Sequence, residues 1–310
     1  MDERSVYAKL GREPPLRCYN RATRPARRPG QPMDVQAYYD RHTTTFLALG
    51  HGRRTGAIHR AVWAPGITTR EQAMRFVDDA VARRIADLVR PTGPVRVVDL
   101  GCGVGSSLVY LAARLPIVGT GVTLSPVQSA LARRRIEDAG LTGRVRCLVG
   151  DFCDLPAETG SADLAYAVEA FVHAPDAAAF FGQCAALLPS GGSLVICDDT
   201  VADSAAWDDP RAAARLARFR EGWRAHSLLD LPTIRRLASA AGFGEPEVED
   251  LTPYLELQRP RDIALAAVED LLSRLPGGMT RFGHLVGGSA LRACLVRGWI
   301  RYRLLTFRRH

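Results

Sequence analysis

Three carboxylates in this chain stand where a bound ligand would meet them. Asp99-Leu100 leads into Gly101-Cys102-Gly103-Val104-Gly105, a glycine loop. Glycines let a backbone approach its ligand closely, and a helix beginning there offers free N–H groups. The acid selects the ligand: a carboxylate at Asp99 repels pyrophosphate and attracts the ammonium of an amino-acid moiety. Asp151-Phe152 follows Val149-Gly150, an acid at the end of an apolar run with an aromatic ring beside it. That pair suits an adenine amino group and the face of its base. Glu169 follows a third apolar run, Ala167-Val168.

These groups need rigid elements to hold them. Met74, Val77, Val81, Ile85 and Leu88 recur at helical spacing and predict an amphipathic helix over 71–90, stopped by Pro91-Thr92-Gly93-Pro94. The short apolar run 95–100 reads as a buried parallel strand. Further strands are expected at 117–122, 144–150, 162–168 and 193–197. Between them lie a helix opened by Ser125-Pro126-Val127-Gln128, read as a capping box, and a helix over 176–188. Alternating strands and helices imply βαβ units and a parallel sheet. The three acids then fall at the carboxyl ends of strands, where open α/β sheets bind ligands. Residues 200–241 are mostly helical and interrupt the rhythm, and 247–251 and 299–307 are candidates for a hairpin-like edge. Residues 1–33, with Pro14, Pro15, Pro25, Pro29 and Pro32 among arginines, read as a basic tail. The division expected is therefore a tail over 1–33, a helical cover over 34–90, and a ligand-binding domain over 91–310 with a lid at about 200–241.

Composition narrows the function classes. At 47% apolar and 24% charged, the 310 residues are those of a globular chain. The longest apolar runs are too short to span a bilayer, and the N-terminus lacks the apolar stretch of a secretory signal, so a cytoplasmic protein is expected. Seven cysteines, an odd number with no CxxC pair, argue against a disulfide framework or a zinc site. The net charge of +8 is concentrated at the ends: residues 1–33 carry +5, 34–270 carry −5 and 271–310 carry +8. That is not the basic stripe of a nucleic-acid-binding protein. Arginine outnumbers lysine forty to one.

A glycine loop alone is shared by nicotinamide dinucleotide and S-adenosylmethionine sites. Five stretches in order, VVDLGCGVGSS, GVTLSP, VGDFCDLP, ADLAYAVEAFVHAPD and LLPSGGSLVI, give the chain a resemblance over residues 70–255 to the class I S-adenosylmethionine-dependent methyltransferases. The resemblance implies an α/β, Rossmann-like, seven-stranded and mostly parallel sheet with an N-terminal helical cover and an inserted helical lid. It also implies that Asp99, Gly101, Gly103, Gly105, Thr123, Leu124, Gln128, Asp151 and Phe152 hold S-adenosylmethionine. Many members place an acid after the second strand for the ribose hydroxyls. Here Thr123-Leu124-Ser125 stands there, and Gln128 or a backbone group takes that role.

A second resemblance concerns the acceptor. GVTLSPVQ is similar to the second-strand segment of C-methyltransferases that act on alkenes. The segments Val35–Asp40, Phe46, Gly50-His51-Gly52 and Ile58-His59-Arg60 look like the cover of sterol, tocopherol and geranyl diphosphate C-methyltransferases, and 220–229 like the lid of the last. This resemblance implies methylation of an alkene carbon of a prenyl diphosphate, geranyl diphosphate foremost, in terpenoid metabolism. Mg²⁺ would arrive largely on the diphosphate. A carbocation intermediate needs aromatic faces and one carboxylate base, for which Glu169 stands. The acceptor-binding candidates are Tyr39, His59, Arg60, Trp63, His173, Trp207, Phe219, Trp223 and His226, with Arg60 as a bidentate phosphate contact. Two alternatives stay open: an O- or N-methyltransferase of a small aromatic natural product with His173 or His226 as base, and a non-catalytic S-adenosylmethionine-binding partner protein. A homo-oligomer is also open.

Overall fold

The computed structural model describes residues 35, 36, 40, 43, 59–91, 93–257 and 278–310. The expected tail, Tyr39, Phe46 and Gly50-His51-Gly52 lie outside these residues. Each apolar run forms a strand: β1 (Val95–Leu100), β2 (Ile117–Thr123), β3 (Val145–Val149), β4 (Leu164–Val168) and β5 (Ser193–Val201). With β6 (Glu247–Asp250) and β7 (Ile300–Arg308) they make one seven-stranded sheet in the order β3-β2-β1-β4-β5-β7-β6. The first five are parallel, whereas β7 is antiparallel to both β5 and β6. The last two strands thus close that edge of the sheet as an antiparallel pair, with β7 the inner of the two.

The central strands are mostly apolar and buried because both faces are covered. One face packs on α1 (Arg70–Ala86), α2 (Ser106–Ala112) and α3 (Pro126–Asp138), together with α5 (Pro210–Trp223) and α7 (Gly278–Val296). The other packs on α4 (Ala177–Leu187) and α6 (Leu231–Ala240), with Phe171, Phe180, Phe181, Phe243 and Phe307 at its centre. Thr69 and Gln72 form a reciprocal capping box on α1. At α3 the expected box is half formed. Ser125 accepts from the Gln128 N–H, but the Gln128 side chain turns away, taking a hydrogen bond from Thr123 Oγ1 at 2.8 Å and donating to Thr43 Oγ1.

The helix α7 has no counterpart among the expected elements. It crosses α5 in glycine-to-glycine contact: a Cβ on Gly222 would stand 2.3 Å from the Gly283 carbonyl and 2.8 Å from the Gly287 Cα. That approach brings Trp223, at the end of α5, against Gly287 and Gly288 of α7. Among the described residues no helix is long and apolar enough to cross a membrane.

Candidate active site

A cavity of about 560 Å³ opens at the carboxyl ends of β1, β2 and β4. One wall is the glycine loop. Gly101, Gly103 and Gly105 all have left-handed φ, at 87°, 52° and 73°. At Gly101 a side chain is excluded twice over, since a Cβ there would lie 2.5 Å from the Ala170 Cβ. A Cβ on Gly103 would face open space, whereas one on Gly105 would press Ala132 at 3.0 Å. Gly101, Gly103, Asp99, Thr123, Leu124, Gln128 and Phe152 line the cavity, and Ser106, Ser107 and Ser125 add hydroxyls. Gly105 and Asp151 do not line it. Gly105 instead caps α2, and Asp151 accepts from the Cys153 N–H at 2.8 Å.

The opposite end is built around Glu169, immediately after β4. Its φ of 49° is left-handed, one of two such non-glycine residues among those described. Such a conformation costs about 1–3 kcal/mol and persists only where the surroundings enforce it. Here they do. The Glu169 N–H donates to the Cys197 carbonyl, and Oε1 accepts from the Arg60 N–H at 2.8 Å and from the Tyr302 hydroxyl at 2.9 Å. Both donors converge on one oxygen of a carboxylate that borders the cavity.

Arg60 itself is committed elsewhere. Its guanidinium grips Asp199 bidentately, at 2.7 Å on each oxygen, and lies over the Tyr302 ring at 4.7 Å. The grip expected on a phosphate is made on a protein carboxylate instead. Against the burial that opposes its charge, Asp199 and Glu169 hold the guanidinium above its ordinary value. The neighbouring Asp198 is buried and lines the cavity. Burial, and then the charge of Asp199, push it up to about 8, so at neutral pH it is largely protonated.

The remaining acceptor candidates separate into wall and packing. His59, His173 and Trp223 line the cavity, with Leu291, Arg292 and Leu295 of α7 beside them. Burial drives His173 down to about 4, although its Nδ1 faces the Arg224 carbonyl at 3.3 Å. His59 sits 3.5 Å from Asp78, whose carboxylate outweighs burial and raises it. Trp207, Phe219, Trp63 and His226 do not line the cavity. Phe219 is fully buried and packs on Trp223 at 5.9 Å. Trp207 packs on the core under the Arg220 guanidinium, Trp63 donates to Glu256 at 3.2 Å, and His226 is exposed.

Residues 97–192 match the family described as methyltransferase domain. Over 230 residues the chain is 31% identical to the O-methyltransferase cnsE of Penicillium expansum, covering 74% of this chain and 78% of that one. The chain belongs to the S-adenosylmethionine-dependent methyltransferases. Among solved structures the methyltransferase is similar to the [4+2]-cyclase SpnF, at 25% identity and a TM-score of 0.67 over 91% of this chain and 97% of that one. It shares its fold with a geranyl diphosphate methyltransferase solved with geranyl diphosphate and sinefungin, at 21% identity and a TM-score of 0.65 over 89% and 98% of the two chains.

The donor set of the methyltransferase fits S-adenosylmethionine. The glycine loop leaves room for a ligand backbone, Asp99 suits the ammonium, and Phe152 can cover the adenine. Asp99 is 3% exposed and accepts from the Tyr166 hydroxyl at 2.8 Å. Burial pushes it up to about 8, with that hydrogen bond opposing the rise. Below this value the empty site holds a proton on Asp99, whereas an ammonium partner requires the carboxylate. Cofactor binding at pH 6.5 is therefore expected to release a proton. Calorimetry in buffers of different ionisation heat measures it, and a heat independent of buffer would refute it. Asp99→Ala is expected to weaken cofactor binding by about 1.5–3 kcal/mol, the scale of a hydrogen bond to a charged group.

Proposed function

We propose that this methyltransferase acts on a small, largely apolar, uncharged natural-product acceptor, methylating a hydroxyl whose proton passes to Glu169. S-adenosylmethionine, when bound, supplies an electrophilic methyl group on its sulfonium. The observation that carries the reading is the state of the charges around Glu169. Among the described residues the arginine beside Glu169, Arg60, has its fork filled by Asp199, and Asp198 and Glu169 add acids rather than cations. A neutral acceptor suits such an end and a diphosphate does not. Glu169 is held by Arg60 N–H and Tyr302 on one oxygen, which orients the other for a proton. His173, pushed down to about 4, is a weak base beside it. Trp223, Leu291 and Leu295 supply the apolar wall that seats the acceptor and excludes water. The similarity to cnsE, named an O-methyltransferase, supports the same class.

Methylation of an alkene carbon of a prenyl diphosphate is the second reading, favoured by two arginines elsewhere on the cavity wall. Arg70 and Arg292 line it together with Leu255 and Leu257, and a neighbouring structure holds geranyl diphosphate. In that case Glu169 would take the proton from the carbocation, and Mg²⁺ would come with the phosphates. Mass spectrometry on a pooled panel of phenols and prenyl diphosphates with labelled cofactor separates the readings. We expect label on an oxygen of an uncharged acceptor and full turnover in excess EDTA. Label on geranyl diphosphate, abolished by EDTA while cofactor binding persists, would establish the second reading.

A further inference from the structure

We propose that Cys102 and Cys147 form a reversible disulfide that shuts the cofactor site under oxidation. Cys102 lies in the glycine loop and borders the cofactor cavity; Cys147 lies on β3, two strands away. The strand between them, β2, presents Gly121 at the register position paired with both Asp99 and Cys147. A Cβ on Gly121 would stand 2.8 Å from the Cys102 sulfur and 2.9 Å from its Cβ. The missing side chain lets Cys102 lie across β2, and its sulfur comes within 3.6 Å of the Cys147 sulfur. Both thiols are free and buried.

The pair is also polarised. The Cys102 thiol beside it, and then the Ser129 hydroxyl and the Arg133 guanidinium, lower Cys147 against the burial that opposes this. Cys102 is raised, first by its hydrogen bond to Cys147 and then by burial. Two neighbouring thiols, one of them bordering the cavity, are the arrangement in which a sulfenic acid formed by a hydroperoxide is resolved to a disulfide. One sulfur is oxidised to a sulfenic acid, with one water released from the peroxide. The second thiol then attacks that sulfur, forming the S–S bond and releasing a second water. Two thiols and one hydrogen peroxide give one disulfide and two waters, a two-electron oxidation of the protein.

Bonding requires the sulfurs to come roughly 1.5 Å closer, to a separation of about 2.0 Å. Gly101 and Cys102 both donate their N–H groups to the Val122 carbonyl, so the loop is anchored to β2 at its base. With the Cys102 backbone held there, a bond to β3 must be taken up by the Cys102 side chain and by the loop that follows it, where Gly103 and Val104 line the cavity. Because the oxidant reaches Cys102 through the cavity, bound cofactor should shield the pair.

The test uses the full-length protein freed of cofactor, treated with hydrogen peroxide. We expect a two-hydrogen mass loss, a linked Cys102–Cys147 peptide on mapping, and S-adenosylhomocysteine affinity weakened by about tenfold or more, since displacements near 1 Å in positioning groups are costly. Dithiothreitol should restore it, and S-adenosylhomocysteine added before the peroxide should prevent it. Cys147→Ser should bind the cofactor normally and ignore the peroxide, whereas Cys153→Ser should stay sensitive. Phenylarsine oxide, which bridges two neighbouring thiols, gives a second readout on the unmodified chain should Cys147→Ser fold poorly: one equivalent should block cofactor binding. Oxidised protein without the linked peptide, or equal loss of affinity in wild type and Cys147→Ser, would overturn the proposal.

Discussion

Glu169→Gln is expected to lose about 10²–10⁴-fold of turnover, the usual worth of a positioned acid–base group. The substitution is nearly isosteric, and the amide oxygen can still accept from the Arg60 N–H and the Tyr302 hydroxyl, which both meet Oε1. What the amide cannot do is take a proton. The loss corresponds to about 3–5 kcal/mol of barrier, and it should fall on kcat, with cofactor affinity within about twofold of wild type by this reasoning. The left-handed backbone at Glu169 sharpens the expectation. Glycine adopts that conformation without strain, although it leaves the Arg60 N–H and the Tyr302 hydroxyl without this acceptor. Here glycine should relieve the strain and still abolish turnover. Wild-type rates for Glu169→Gln would remove this carboxylate from the reaction, whichever acceptor is used.

The sheet was legible because its strands are local events. The run at 95–100 is buried except at Arg96, and the glycines that follow it sit at the left-handed positions the loop requires. The ends of elements that depend on distant partners were not legible. The fifth strand was expected to end at Cys197, and the acids that follow it are poor strand formers. β5 instead runs on to Val201, with Asp199 closed by an arginine 139 residues away and Asp198 by the N–H groups of Val172 and Asp199. The support of Glu169 by Tyr302 spans 133 residues and left no local trace. Trp207 and Trp223 are alike in sequence, both following the fifth strand. Only the glycine crossing of α5 and α7 decides that Trp223 faces the cavity and Trp207 packs beneath Arg220. That wall could have been suspected from Gly283, Gly287 and Gly288, placed one turn apart within an otherwise apolar stretch.

Arg60→Ala tests the same assignment from the opposite side. Asp199 is 2% exposed, and the guanidinium contributes both of its short hydrogen bonds. Removing one partner of a buried pair leaves an uncompensated charge and typically costs about 3–5 kcal/mol of stability. Burial already raises Asp199 while Arg60 opposes the rise, so in the variant the carboxyl should rise further. A carboxyl raised in the folded state gives up stability as pH climbs through its folded value. The deficit of Arg60→Ala is therefore expected to be larger at pH 8 than at pH 5, when followed by denaturant unfolding. Adding Asp199→Asn removes the stranded charge and should recover part of the stability, a coupling that a double-mutant cycle reads directly. Were Arg60 a phosphate contact, the pattern would reverse. Stability would hardly change, the pH dependence would vanish, and KM for a diphosphate acceptor would rise. The two patterns do not overlap, so one set of unfolding curves decides whether Arg60 serves the fold around Glu169 or reaches for the acceptor.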